Sequence, residues 1–299
     1  MLMITKTIYA LGFFDGVHIG HQALLAECRR LAAETGSNVA AVTFSSHPDT
    51  LVLGKTPELI NTIEDRVRLL KAAGMDDVIV LPFDKKMMTC PWQDFLELLR
   101  ESYGAAGLVC GHDFRFGNRG LGNAHLLSAY CKEHSMPSCV VPEQKLDGTT
   151  VSSTHIRTLL EAGRMEEANR FLGHPHTLTG EVVSGRKLGR TLGIPTANLS
   201  IPEGVVRLPF GVYACKAAVE GASYIAVTNI GNRPTVGGHR VTVEPWLLDF
   251  EGDLYGKELT LSFYRFLRPE QKFPSLDALK EEIVKNAQEC RKFFENNIK

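Results

Sequence analysis

The sequence lacks the features of secreted, membrane-spanning and metal-stapled proteins. Its seven cysteines are scattered and odd in number, without a C-x-x-C pair, so they predict buried thiols in a reducing compartment rather than disulfides or a zinc site. No apolar run approaches the roughly 20 residues that span a membrane. The N-terminus also lacks the charged segment and apolar core of a secretory signal. We therefore expect a cytoplasmic protein that binds no membrane.

The chain also lacks a strong charge of either sign. It has 33 basic and 34 acidic residues, a formal net charge of −1 and no basic block. Non-specific binding to nucleic acid needs clustered Lys and Arg, so we expect no nucleic-acid partner. What is present is typical of globular proteins, with 44% apolar and 22% charged residues. A length of 299 residues predicts two domains, each with its own core.

Residues 1–172 show short apolar runs that alternate with helical patterns. Five strands are predicted, over Ile8–Leu11, Val39–Phe44, Val78–Leu81, Leu108–Cys110 and Ser138–Val141. Strands separated by helices predict a parallel, doubly wound, Rossmann-like sheet in an α/β domain. Ligands of such sheets bind at the carboxyl ends of the strands.

A glycine-rich turn, GFFDGVHIGHQ, follows the first predicted strand and precedes a helical pattern. Gly12 and Gly20 let the backbone approach a ligand closely, and a helix N-terminus can receive a phosphate. His18 and His21 are three residues apart, so at a helix start they share a face and could both donate to one polyphosphate. Taken alone, such a turn is equally compatible with a tight turn that carries surface histidines.

A second polar run, VSSTHIR, follows the fifth predicted strand. The hydroxyls of Ser152, Ser153 and Thr154 could cap a helix and also bind phosphate oxygens. Arg157, one turn along, adds a cation suited to charge that builds up on a polyphosphate leaving group. The alternative is an ordinary capped helix with an exposed arginine.

Residues 173–299 change to short strands and turns. Strands are predicted over Thr177–Val183, Gly211–Val219, Tyr224–Asn229, Arg240–Phe250 and Glu258–Phe266. Close-set strands without intervening helices predict a small antiparallel β-barrel, which a C-terminal helix over Leu276–Phe294 would close.

The barrel domain has its own glycine-rich stretch, GEVVSGRKLGRTLGIPTANL. Gly185 and Gly189 would allow a loop to wrap phosphates with its backbone. Thr196 and Asn198 offer a hydroxyl and a carbonyl two residues apart, which are hard oxygen ligands suited to Mg²⁺. Glycine spacing alone is weak support for a nucleotide site.

Together these motifs resemble the bacterial bifunctional riboflavin kinase/FMN adenylyltransferases, in the family's order and over nearly the whole chain. The matching segments are GFFDGVHIGH, TFSSHP, GHDFRFG, VSSTHIR, PTAN, NIGNRPT, VEPWLLDF and LRPEQKF. Two departures stand within them, Ser46 where the family commonly has proline and Trp246 where relatives usually have histidine.

The resemblance implies that the first domain, a HIGH-type nucleotidyltransferase, adenylylates FMN to FAD. His18, His21 and Arg157 would neutralise the departing pyrophosphate. The residues implied to bind the nucleotide are Gly12, Phe13, Asp15, Gly20, His47, Asp113, Ser152, Ser153 and Thr154.

For the second domain the resemblance implies phosphorylation of riboflavin to FMN, with Glu244 as the catalytic base. Gly185 and Gly189 would bind the nucleotide, Arg268 and Glu270 the flavin, and Thr196 and Asn198 the Mg²⁺. Both reactions would use ATP and Mg²⁺, and no obligate protein partner is expected. Two alternatives remain open, a chain with only one active half and a flavin-binding regulator without turnover.

Overall fold

The amino-terminal half folds as its alternating pattern predicts. The computed structural model describes residues 6–183, 193–200, 202–235 and 238–297, and only the backbone of residues 233–235, 238–240 and 297. Within it the chain divides into two compact units, the first ending at Ser153 and the second beginning at Thr154.

A five-stranded parallel sheet forms the centre of the first unit. Its strands are β1 (Thr7–Leu11), β2 (Asn38–Phe44), β3 (Asp77–Leu81), β4 (Ala105–Gly111) and β7 (Ser138–Val141), in the order β3-β2-β1-β4-β7. Short pairs complete the unit: β5 (Arg115–Phe116) with β6 (Gly122–Asn123), and β8 (Lys145–Leu146) with β9 (Thr149–Thr150). The predicted doubly wound sheet is therefore confirmed.

Helices cover both faces of this sheet. They are α1 (Ile19–Thr35), α2 (Pro48–Val52), α3 (Ile63–Ala72), α4 (Lys85–Thr89), α5 (Trp92–Glu97) and α6 (Ala124–Glu133). A buried apolar cluster lies on each face, and all residues of β1 are buried, as in parallel sheets covered on both sides. The strand order reverses between β1 and β4, where sheets of this type bind ligands.

Two helices stand at the start of the second unit: α7 (Ser153–Glu161), whose first residue is the last of the first unit, and α8 (Met165–Leu172). The sequence pattern predicts one helical stretch over Glu161–Leu172, but Gly163 interrupts it with a left-handed φ of 71°. Its N–H donates to Leu160 O at 3.0 Å, and the N–H of Arg164 donates to Leu159 O at 2.9 Å. This pair of bonds ends α7, because it satisfies carbonyls that have no partner within the helix.

An antiparallel sheet and a long helix form the rest of the second unit. The strands are β10 (His176–Glu181), β11 (Gly211–Val219), β12 (Ala222–Thr235), β13 (Gly238–Leu247) and β14 (Glu258–Pro269), in the order β10-β14-β11-β12-β13, followed by α9 (Leu276–Asn297). The sequence Glu220-Gly221-Ala222 predicts a hairpin loop. The loop is present over Glu220 and Gly221, with φ of 50° and 81° as a two-residue hairpin loop prefers, and Ala222 already belongs to β12.

The edges of this sheet are joined by a segment near residue 199. Leu199 forms antiparallel bridges both to Val182, just beyond β10, and to Val243 in β13. The sheet thus closes into a barrel, as the close-set strands predict. In the part of the chain that is described, no helix is long and apolar enough to cross a membrane.

Candidate active sites

The glycine-rich turn lies at the carboxyl end of β1 and is held in place by hydrogen bonds. Thr43, at the end of β2, donates its hydroxyl to Phe13 O at 2.8 Å. Asp15 is buried, and its Oδ1 accepts the backbone N–H of Ile60 at 2.8 Å. Its carbonyl accepts the hydroxyl of Ser153 at 2.9 Å. Asp15 and Ser153, both predicted to bind nucleotide, therefore also fix the shape of the turn.

The backbone of the turn is strained. Phe14 and Val17 have φ of 60° and 41°, in the left-handed region that a β-branched side chain rarely enters. A Cβ on Gly12 would lie 3.0 Å from the Phe14 ring, and one on Gly20 would lie 3.2 Å from the His18 ring. Strain of this kind persists where the surroundings enforce it, and it clusters at functional sites.

The two histidines of the HIGH motif stack at the start of α1. Their ring centroids are 3.6 Å apart, with 14° between the planes. The Nδ1 of His18 accepts the backbone N–H of His21 at 3.3 Å, which caps the helix and assigns the proton of a neutral His18 ring to Nε2.

His21 is held in its neutral form. Burial, then the adjacent His18, then the charge of Arg66 lower the pKa of His21 well below its ordinary value. Its Nδ1 is buried without a hydrogen-bond partner. A neutral imidazole still donates one N–H, so this histidine can bind an anion without carrying charge.

His47 begins the next helix in the same manner. Its Nδ1 accepts the N–H of Asp49 at 3.2 Å and caps α2, which again assigns the proton of the neutral ring to Nε2. The His47 ring meets the Phe13 ring edge-on, with centroids 4.7 Å apart. The end of β2 and the turn after β1 are therefore in contact, as the predicted sheet requires.

The remaining predicted residues of the adenylyltransferase site lie just after β4 and at the start of α7. Asp113 is exposed and lies just after β4. A Cβ added to Gly111 would be 3.1 Å from Asp113 Oδ1, so the carboxylate lies over the end of the strand. Ser152 is half-buried just before α7. Arg157, on α7, donates from Nη2 to Thr154 Oγ1 at 3.4 Å.

In the barrel, Glu244 lies in a row of polar side chains that crosses three segments. It pairs directly with Asn229 of β12. On the other side, Ala197 N–H donates to Pro245 O and Leu199 N–H donates to Val243 O, both at 2.9 Å. These two bonds place Asn198 opposite Glu244 in an antiparallel pairing, where facing side chains are close.

Thr196 and Trp246 form the next pair of that register. The strand β13 remains regular through Pro245, which has no N–H to donate but whose carbonyl accepts the N–H of Ala197. Trp246 therefore shares a face with Glu244, because side chains two residues apart in a regular strand point to the same side. It is half-buried and packs on the apolar cluster shared with α9.

The two predicted flavin-binding residues lie near the end of β14. Arg268 donates from Nε to Asn286 Oδ1 on α9 at 3.1 Å and is 3.3 Å from Glu282 Oε1. The side chain of Glu270 lies over β12. A Cβ added to Gly231 of that strand would be only 2.6 Å from Glu270 Oε1. Glu270 therefore approaches the row of Glu244, while Arg268 is anchored on the helix.

Thr196 lines an open cleft, together with Phe250, Asp253 and Tyr255. Gly185 and Gly189, predicted to bind nucleotide, lie outside the described residues. The described residues contain no cluster of three His, Cys, Asp or Glu side chains that could hold a metal. The donors beside Glu244 are instead a hydroxyl and an amide oxygen, which fit a hard divalent cation.

Sequence reasoning missed two residues of these sites. Asn229 belongs to a recognised motif, but its position opposite Glu244 depends on the register of β12 with β13. Arg66 of α3 is fully buried, with its guanidinium 4.0 Å from the centre of the Phe13 ring. Its sequence surroundings, rich in charge, are those of an exposed helix face.

Comparison with known proteins gives matches in both halves. Residues 3–155 match the family model described as FAD synthetase, and residues 172–294 match the one described as riboflavin kinase. Proteins named bifunctional riboflavin kinase/FMN adenylyltransferase are similar over almost the whole chain. The one from Listeria monocytogenes is 33% identical and covers 96% of this chain and 92% of its own. The one from Pseudomonas fluorescens is 37% identical and covers 92% and 89%.

A solved structure is similar over both halves as well. It comes from Streptococcus pneumoniae, is described as a macrolide-efflux protein, and shares 28% sequence identity with a TM-score of 0.86. The superposition covers 96% of this chain and 94% of that chain.

Proposed function

The chain belongs to the family of bifunctional riboflavin kinases/FMN adenylyltransferases, and from this we propose how its residues divide the two reactions. It is an enzyme that phosphorylates riboflavin to FMN with ATP and adenylylates FMN to FAD. The alternatives of a single active half and of a regulator without turnover are therefore set aside. We assign adenylylation to residues 1–172 and phosphorylation to residues 173–299.

The observation that carries the adenylyltransferase assignment is the stacked histidine pair at the start of α1. In this reaction an FMN phosphate oxygen attacks the α-phosphorus of ATP, the bond to the β-phosphate oxygen breaks, and pyrophosphate leaves. We assign the N–H groups of His18 and His21 to donate to phosphate oxygens, with Arg157 as the cation that stabilises the leaving group. Gly12, Gly20 and the α1 N-terminus would let the phosphates approach the backbone.

The row of Asn198, Glu244 and Asn229 supports the kinase assignment. The terminal ribityl hydroxyl would give its proton to Glu244 as its oxygen attacks the γ-phosphorus, and ADP would leave. We propose that Thr196 and Asn198 hold Mg²⁺, which when bound neutralises charge on the phosphates. Glu270 and Arg268 would position the flavin between the strand ends and α9.

The test of this division is a product analysis. The protein is incubated with riboflavin, ATP and Mg²⁺, and the flavins are separated by chromatography. We expect FMN first and FAD later; a protein that makes neither would contradict the proposal. We also propose a cytoplasmic location, which is supported by the absence of disulfides among the seven cysteines.

Substitution of Asn198 tests the metal assignment. Asn198→Ala removes one oxygen ligand, so the Mg²⁺ concentration that half-saturates the kinase should rise about tenfold or more, the equivalent of roughly 1.4 kcal/mol. FMN formation is measured over a Mg²⁺ titration, with Ser200→Ala as the control because Ser200 follows on the same segment. An unaltered Mg²⁺ dependence in Asn198→Ala would exclude this ligand.

The contacts of helix α8 indicate that a stable kinase fragment must include this helix. Asn169 donates to Phe263 O and accepts from His176 N, both at 2.8 Å, and Phe171 and Leu172 are buried. A fragment of residues 154–299 should therefore fold and phosphorylate riboflavin. A fragment of residues 177–299 lacks these contacts.

The shorter fragment should unfold about 10 °C lower or more, since each buried side chain of this size contributes about 1.5–3 kcal/mol. Thermal unfolding followed by circular dichroism measures the difference. Equal unfolding midpoints would show that α8 contributes nothing to the unit.

A further inference from the structure

Arg66 carries a buried positive charge beside the adenylyltransferase turn. It is 0% exposed and is the largest of the fully buried side chains in the described residues. It lies on the inner side of α3, a helix that contacts the turn of residues 15–17. Burial lowers the pKa of its guanidinium, against the opposing effect of the Asp15 carboxylate.

The hydrogen bonds of this guanidinium are incomplete. Nη1 donates to Thr43 Oγ1 at 3.3 Å and to Phe44 O at 3.1 Å, both uncharged acceptors. Nε and Nη2 are buried without a hydrogen-bond partner. A buried charge that is not well compensated destabilises the fold, so an apolar side chain would serve packing alone at lower cost.

Arg66 is linked to Phe13 of the turn at two points. Its guanidinium lies over the Phe13 ring, 4.0 Å from the ring centroid, in a cation–π contact that burial strengthens. Through the Thr43 hydroxyl, which accepts from Arg66 and donates to Phe13 O, it also holds the Phe13 carbonyl. The Phe13 ring also makes an edge-on contact with the ring of His47.

We propose that Arg66 is a positioning residue for adenylyl transfer, which fixes Phe13 and the strained turn ahead of His18 and directs a buried positive charge toward the ATP phosphates. The inference rests on the proposed function of this turn. Arg66 does not itself need to touch the substrate, because the turn transmits its effect. The residue explains how a turn with left-handed Phe14 and Val17 keeps one conformation.

Arg66→Met tests the proposal in the full-length enzyme. Methionine retains much of the packing but removes the charge and the two-point contact. We expect kcat for FAD formation from FMN to fall by about ten- to a hundredfold, the scale of losing a supporting partner of an active-site group. The KM for ATP should rise several-fold, whereas FMN formation from riboflavin should be unaltered.

Two further variants separate positioning from a merely structural role. Lys71→Met removes an exposed charge from the same helix and should leave both activities unaltered. In Arg66→Ala, added guanidinium ion should restore part of the FAD formation, because it can occupy the space left by the side chain. A structural defect would instead lower the amount of active enzyme, leave the KM for ATP constant and resist rescue.

The proposal is overturned if Arg66→Met reduces FAD formation no more than Lys71→Met does, or if the KM for ATP stays constant and guanidinium gives no rescue. If Arg66→Met does not fold, Arg66→Lys decides, because it keeps the charge but not the planar contact, and an unaltered kcat would equally overturn the proposal. His21→Ala, assayed alongside, separates failure of the Arg66 proposal from failure of the proposed function. Normal FAD formation in His21→Ala would contradict the proposed function of the turn itself.

Discussion

His21→Ala should reduce FAD formation from FMN by roughly two to three powers of ten, the effect of losing one preorganised donor to a developing charge. The substitution removes the ring that stacks on His18, so His18 also loses a packing contact. FMN formation from riboflavin should be unaltered, because that reaction is assigned to the barrel. Steady-state assays with supplied FMN and with riboflavin measure the two rates separately.

The matched control for this variant is His125→Ala. His125 is an exposed histidine on α6, in the same unit, and it has no assigned role. Its substitution should leave both activities intact. An equal loss of both activities in His21→Ala would mean that the HIGH motif is structural or that the two halves do not work independently.

Glu244→Gln should lower the kinase kcat by about 10² to 10⁴-fold, the usual contribution of a general base. A primary hydroxyl has a very high pKa, so the carboxylate helps by accepting its proton as the phosphoryl group arrives. Glutamine keeps the size and an acceptor oxygen, so the riboflavin KM should change little. Adenylylation of supplied FMN should not change.

Glu251→Gln is the control, since Glu251 is exposed in the same unit. Riboflavin phosphorylation is followed by chromatography at saturating ATP and Mg²⁺. A kinase rate in Glu244→Gln within a few-fold of the starting enzyme would remove Glu244 as the base, because less than about 1 kcal/mol of barrier would then depend on it.

Much of the fold could be predicted because its signals are local. The five parallel strands follow apolar runs, the Thr62 cap of α3 follows its side-chain chemistry, and the β11–β12 hairpin follows Glu220–Gly221. The break at Gly163 was missed, since an isolated glycine within a helical pattern is often tolerated. Gly163 adopts a left-handed conformation there, which ends the helix although the surrounding residues favour one.

The candidate sites could be predicted only in part, because their geometry depends on distant pairings. Motif spacing indicated Glu244 and Asn198, but their alignment is set by backbone bonds between segments far apart in the chain. Arg66 had no recognisable signal, because burial of a charged residue depends on what packs over it. Helical periodicity places a residue on a face but does not state what covers that face.

The most direct test of two independent sites is to mix His21→Ala with Glu244→Gln and supply riboflavin, ATP and Mg²⁺. Each variant alone should fail to convert riboflavin to FAD at a normal rate: the first should accumulate FMN, and the second should leave riboflavin unused. Together they should form FAD, because FMN released by one protein becomes the substrate of the other. A mixture that forms no more FAD than the two variants separately would contradict this division of the two reactions.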